Sequence, residues 1–203
     1  MSLVKFPLCI KTQLYLKPRI KMYYPLVYGL CDYIIQQKIN GQIYKKMFYL
    51  FNEVRHLNLP TNIEGSYEIK TNERNVLSLS LTALGDFKGA HPKTVIKSLN
   101  FDVNIGQNYP LKDLFKPGSD YIERISDIIK KEINEREIPL IEDFKSIRPN
   151  QDYYIADKNL VIYFQQYEIS PYYVGFPYFS IPIYYLEDII KENSILERMI
   201  RFF

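Results

Sequence analysis

Between Leu30 and Arg55 apolar residues recur at steps of three and four: Ile35, Ile39, Ile43, Met47, Phe51 and Val54. That spacing places them on one face of a long helix. Asn40-Gly41 falls in its middle, where glycine costs about 1 kcal/mol relative to alanine and predicts a kink or a close packing contact. Upstream, Leu8 to Tyr24 reads as one or two extended segments, interrupted by Pro18 and closed by Pro25. Downstream the period changes to two. Glu64–Thr71 reads as a strand with its turn at Asn72–Asn75. Then Val76, Leu77, Leu79 and Leu81 alternate with Ser78, Ser80 and Thr82, a pattern that buries one face of a strand. Thr94–Val103 is the next strand, after a loop from Gly85 to Pro92, and Gly106 equips Asn104–Gln107 for a turn.

A short helical piece at Leu111–Phe115 precedes a helix over Ser119–Glu137, with Ser119 as N-cap and Ile122, Ile125, Ile129 and Ile133 as its stripe. Tyr153–Ile155 and Leu160–Gln165 form a hairpin, Tyr178–Ile183 is extended, and Tyr184–Ile200 is helical by its pattern. The order β-α-β-β-β-α-β-β-β-α predicts the α+β class, an antiparallel sheet covered by two long helices. Residues 1–203 are expected to form a single α+β domain, with residues 1–58 and 59–203 as its sub-regions, divided near Asn58–Thr61.

With 47% apolar and 24% charged residues, the chain has the composition of a globular protein and not of a disordered one. No apolar run reaches the ~18 residues of a membrane-spanning helix. The 26 basic and 23 acidic side chains leave a net charge of +3 with no concentrated basic stripe, so nucleic acid is not the expected partner. Residues 1–25 are the exception: Lys5, Lys11, Lys17, Arg19 and Lys21 stand there without a single acid. Such an arm suits an anionic surface, a membrane or a wall polymer, and equally suits strands with solvated lysines. Cys9 and Cys31 make neither a disulfide framework nor a zinc site; a mutual bridge and two buried thiols are both open. Met1-Ser2-Leu3 leads at once into strand-like sequence with no signal-peptide core, which reads as a chain whose export signal or membrane anchor lay upstream.

Glycine-rich phosphate loops, G-x-S-x-G, H-E-x-x-H and C-x-x-C are all absent, and no cofactor or metal is expected. Two histidines remain. His56 ends the long helix, where a cation is favoured by the helix C-terminus. His91 lies in Gly85-Asp86-Phe87-Lys88-Gly89-Ala90-His91-Pro92, where Gly89 and Ala90 permit close approach and Pro92 stiffens the exit. It reads as a loop-fixing residue, a ligand contact or a general base. The run from Tyr163 to Gly175 leaves a strand and enters a ring-rich loop. Tyrosines in such loops suit recognition, since they offer area and a hydroxyl for little side-chain entropy. Tyr163 and Phe179 read as core, while Tyr172 and Tyr173 fit core or surface. Glu168 is the carboxylate candidate, because its neighbours are aromatic. Glu142-Asp143 and Glu187-Asp188 read as solvated acids, since sequence neighbours do not face each other on a helix. Expected ligand contacts are therefore Gly89, Ala90, His91, Tyr167, Glu168, Ser170, Pro171, Tyr172, Tyr173 and Gly175; the catalytic alternative uses His91 with Glu168 or Asp102.

Gly89-Ala90-His91-Pro92, Asn100-Phe101-Asp102 with Gly106, Leu111-Lys112-Asp113-Leu114-Phe115, and Tyr163 to Tyr172 through Gly175 to Ile181-Pro182 occur in that order. Together they resemble the domain of unknown function shared by RsiV-type anti-sigma factors and PdaC-type peptidoglycan deacetylases. Tyr24-Pro25 and Lys38-Ile39-Asn40 resemble the region that precedes it. The resemblance, from about Ile20 to Leu186, implies an extracytoplasmic α+β domain at the cell envelope, behind an anchor or export signal. It also implies a partner that is a cell-wall glycan or a lysozyme-like protein. Neither an anti-sigma segment nor a deacetylase domain stands in these residues, so neither named activity is carried over. Lys88 and Pro92 also flank Gly89-Ala90-His91 where the family often has glycine.

Overall fold

The computed structural model describes residues 8–200. The chain divides into two compact units, Met1–Asn108 and Tyr109–Phe203. Lys5 of the basic arm lies outside the described residues.

In the first unit β1 (Cys9–Lys17) and β2 (Ile20–Tyr28) form a hairpin around Pro18-Arg19. Next comes α1 (Tyr33–Val54), then β3 (Asn62–Glu73), β4 (Val76–Asp86), β5 (Lys93–Asp102) and the short β6 (Gln107–Asn108). The sheet order is β1-β2-β3-β4-β5-β6. All its pairs are antiparallel except β2 with β3, which run parallel at Ile20–Met22 against Ile63–Gly65. A fully antiparallel sheet was expected; the parallel pair arises because a whole helix carries the chain from β2 to β3, and a helical crossover returns a strand in the same direction.

Asp32 caps α1, its Oδ1 accepting from the N–H groups of Ile34 and Ile35 at 2.9 and 3.1 Å. Ile39, Ile43, Met47, Leu50, Phe51 and Val54 are buried against Leu77, Leu79, Leu81, Ala83, Leu99 and Phe101 of the sheet. Each such side chain contributes about 1.5–3 kcal/mol on burial. The helix is continuous through Asn40-Gly41. Asn40 Nδ2 donates to the Val27 carbonyl and its Oδ1 accepts from the Val27 N–H, at 2.8 and 2.9 Å, satisfying backbone that no strand pairs. Gly41 is exposed, and a Cβ there would meet nothing within 4 Å, so it provides no close contact. Gly85 does: a Cβ would stand 2.2 Å from the Val54 carbonyl oxygen, where the end of α1 rests on β4.

The second unit holds α2 (Tyr121–Glu135), a separate antiparallel sheet of β7 (Tyr153–Ala156), β8 (Asn159–Tyr163) and β9 (Tyr178–Pro182), and α3 (Ile195–Ile200). The sheet is thus two sheets. Tyr153, Ile155, Leu160, Ile162, Phe179 and Ile181 share its buried face through the registers Tyr153–Ile162–Phe179 and Ile155–Leu160–Ile181. Ile125, Ile129 and Ile133 are the buried stripe of α2. Asp120 and not Ser119 occupies its N-cap position, and it makes no side-chain cap bond. The final helix is shorter than its pattern: Ile183–Ile189 is a 3₁₀ stretch, and α3 begins only at Ile195. With α1 at 22 residues and α2 at 15, the two helices lie in separate units and do not share one sheet. Cys9 and Cys31 are free and exposed, not buried.

Neighbouring substitutions in α1 should have opposite signs. Gly41→Ala is expected to raise unfolding stability by about 1 kcal/mol. Asn40→Ala should lower it by about 1–3 kcal/mol, by stranding the Val27 backbone. Urea denaturation of the two variants reads both.

Candidate functional site

In the second unit the chain leaves β8 through Phe164, whose ring is packed edge-on between Phe144 and Phe179 at 5.7 and 5.8 Å. It then turns sharply. The Gln165 N–H donates to Glu168 Oε2 at 2.7 Å, and the Glu168 N–H returns to the Gln165 carbonyl at 3.1 Å. Tyr167, at φ +64°, takes the left-handed conformation that this tight turn imposes. Glu168 Oε1 accepts from Arg148 Nη2 at 2.7 Å and from Gln151 Nε2 at 3.0 Å. Gln151, 2% exposed, also donates to the Tyr163 carbonyl at the end of β8, while its Oε1 accepts from Arg148 Nε at 3.2 Å. The carboxylate therefore joins a strand end, a loop and a turn through charge-assisted bonds.

Beside it opens a cleft of about 480 Å³, lined among others by Phe144, Arg148, Gln151, Phe164, Tyr167 and Glu168. Past the cleft, Pro171 leads into a 3₁₀ turn at Tyr172–Val174, closed by Gly175 at φ +79°, whose N–H donates to the Tyr172 carbonyl at 3.0 Å. Tyr173 is 77% exposed and Tyr167 59%. Tyr172 is half-buried, its ring 5.6 Å from that of Tyr167. These rings form a rim. Ser170 is buried, and its Oγ has no hydrogen-bond partner among the described residues. Tyr163 and Phe179 belong to the core.

Elsewhere in this unit Arg124 Nη1 donates to Asp188 Oδ2 at 2.6 Å and its Nη2 to the Tyr185 carbonyl at 2.9 Å. The hydrogen bond from Arg124 holds the Asp188 carboxyl below its usual range. Glu187 and the Glu142-Asp143 pair are exposed, as solvated acids should be.

The remaining candidates are in the first unit. Gly89, Ala90 and His91 are exposed in the loop between β4 and β5, where a Cβ on Gly89 would lie 2.4 Å from the Phe87 ring. Asp102 ends β5 while His91 precedes its start, so the strand between them separates the two by about 30 Å. That distance removes Asp102 as a proton-transfer partner of His91. Asp102 serves the next turn instead, its Oδ1 accepting from the Asn104 N–H at 2.9 Å. His56 is not the helix cap, a position taken by Arg55. Its Nδ1 accepts from the Asn58 N–H at 3.1 Å, and its ring lies 4.9 Å from that of Phe87. Among the described residues no group of three or more His, Cys, Asp or Glu side chains could hold a metal ion, and no helix is long and apolar enough to cross a membrane.

Arg148 and Gln151, which position Glu168, were not foreseen. They stand in an irregular stretch around Pro149 with no periodicity to single them out.

Residues 112–184, within the second unit, match the family described as "Protein of unknown function (DUF3298)". The Gly89–Pro92 loop lies outside the matched residues. The anti-sigma-V factor RsiV of Bacillus subtilis is 29% identical over 194 residues, covering 87% of this chain and 66% of that protein. The peptidoglycan-N-acetylmuramic acid deacetylase PdaC of the same organism is 28% identical over 120 residues, 53% of this chain and 24% of that protein. An esterase of Mycobacterium tuberculosis is 30% identical over 102 residues, 48% of this chain and 45% of that protein. The chain thus spans just under two thirds of the first of these relatives and less than half of the other two. A solved DUF3298-family protein of Bacteroides fragilis has the same fold, with a TM-score of 0.67 over 97% of both chains at 14% identity.

Two measurements test this arrangement. Glu168→Ala should lower stability by about 2–3 kcal/mol, since it strands buried Gln151, whereas Arg148→Ala, at a side chain 61% exposed, should cost under about 1 kcal/mol. Urea unfolding of the two variants compares them. The Asp188 carboxyl should titrate below the usual carboxylate range by NMR, and Arg124→Gln should return it upward. Because the folded state lowers that pKa, the pair's stabilisation is present above the ordinary carboxylate pKa and is lost as pH falls through the folded value.

Proposed function

We propose that the chain is a non-catalytic recognition module that works outside the cytoplasm, taking a cell-wall polymer or a wall-active protein such as a muramidase on its tyrosine rim. The observation that carries this reading is the rim itself. Tyr167 and Tyr173 are large exposed rings on a segment already fixed by Glu168, Gln151 and the Gly175 turn. Surface rings held in place before binding lose little entropy when a partner arrives. Glu168 has both oxygens engaged, which suits an anchor better than a proton shuttle. Similarity to an anti-sigma factor and to a peptidoglycan deacetylase supports a place at the envelope. The exposed Gly89-Ala90-His91 loop is a separate candidate contact on the first unit, and His91→Ala tests it alone.

The esterase relative favours one second reading, an envelope hydrolase using His91. Turnover of a p-nitrophenyl ester that disappears in His91→Ala would establish it.

Retention on immobilised muramidase and on purified peptidoglycan tests the first reading. Wild-type protein should bind one of them, and Tyr167→Ala with Tyr173→Ala should weaken binding by about thirtyfold or more with an unchanged melting temperature. Failure of folded wild-type protein to bind either would refute it.

A further inference from the structure

The β1–β2 hairpin carries a surface that the rim does not explain. Leu14 pairs with Tyr23 and Leu16 with Lys21, so these four side chains share one face of the ribbon. The next pair toward its base on that face, Thr12–Pro25, carries the Thr12 hydroxyl bonded to Tyr67 Oη at 2.7 Å. Towards the tip no such partner among the described residues covers the face: Leu16 is 65% exposed, Leu14 47% and Tyr23 40%. Around them stand Lys17, Arg19 and Lys21, all exposed, with the Lys21 ammonium 5.5 Å from the Tyr23 ring centre. From Leu8 to Cys31 the chain has no acid. Of the glutamates on the neighbouring strand, Glu64 is in register with Lys21 and Glu68 is paired with Lys70, so among the described residues no carboxylate pairs with Lys17 or Arg19 at the tip.

Exposed leucines among cations offer an apolar and a charged contact side by side. A wall polymer would satisfy the charges alone. A bilayer carrying anionic lipid satisfies both, with headgroups for the cations and the acyl boundary for leucine, and tyrosine suits the interface between them. We propose that the tip of the β1–β2 hairpin, Leu14–Tyr23, docks on an anionic membrane surface, inserting Leu16 between headgroups held by Lys17 and Arg19. The site is independent of the tyrosine rim, and its occupant differs.

Co-sedimentation of the full chain with phosphatidylglycerol/phosphatidylcholine vesicles tests it, against phosphatidylcholine vesicles alone. Binding to the anionic vesicles is expected, with about tenfold loss for each of Lys17→Gln and Arg19→Asn, the latter keeping a residue that tolerates the positive φ of 63° found there. Leu16→Asp should cost about tenfold or more. These positions are exposed, and circular dichroism melts check that the variants fold. Raising salt should weaken binding. Equal partition onto zwitterionic vesicles, or binding by Leu16→Asp equal to wild type, would overturn the proposal. So would retention on anionic wall polymer without any partition to vesicles.

Discussion

A partly buried carboxylate cannot keep vacant lone pairs, and in the second unit that requirement organises everything around the rim. Glu168 resolves it with two side-chain donors and one backbone N–H. Those donors come from different parts of the chain: the irregular stretch after α2 and the end of β8. Closing the Gln165–Glu168 turn forces Tyr167 into left-handed backbone and directs its ring outward, with the half-buried Tyr172 beside it. The outward ring of Tyr167 is thus tied to the turn that satisfies one acid, while Tyr173 is presented by the separate 3₁₀ turn after Pro171.

The first unit solves a related problem with neutral side chains. Its core is an ordinary helix stripe against a sheet, but its strands end and diverge, leaving backbone groups unpaired. Asn40 takes both polar groups of Val27, and Asn72 does the same for Leu8, at 2.8 and 2.9 Å. Gln42 reaches the Gly106 carbonyl at 2.8 Å and Lys38 the Ile105 carbonyl at 2.9 Å, fastening α1 to the turn after β5. Polar residues on the flanks of an apolar stripe therefore set where the helix sits along the sheet, which apolar contact alone leaves loose.

Periodicity made the elements legible. The α1 stripe and the Gly106 turn, at φ +63°, stand where the pattern put them, whereas β4 is buried on both faces: Ser78 and Ser80, read as its open side, are buried too, and the Ser78 hydroxyl bonds Asn100 Oδ1 at 2.7 Å. What periodicity does not encode is pairing. Nothing in Ile20–Met22 announces a parallel partner forty-odd residues away, and nothing in the strand run announces two sheets. The same limit applies to the site. Tyr173 lay in a segment marked by composition, but its exposure depended on the turn beneath it. Glu168 looked aromatic in its surroundings because its sequence neighbours are rings, whereas its spatial neighbours are Arg148 and Gln151. Asp102 and His91 looked like partners only because a chain position carries no distance; the strand between them supplies it.

The parallel register of β2 and β3 also bears on how the chain assembles. Ile20 and Ile63 meet only after the whole of α1 has been looped back, so that contact carries a large closure entropy. The hairpins of β3, β4 and β5 close through shorter connections and carry less. Sequence-local pairing lets the middle of this unit organise as a template on which the first hairpin and its helix can close.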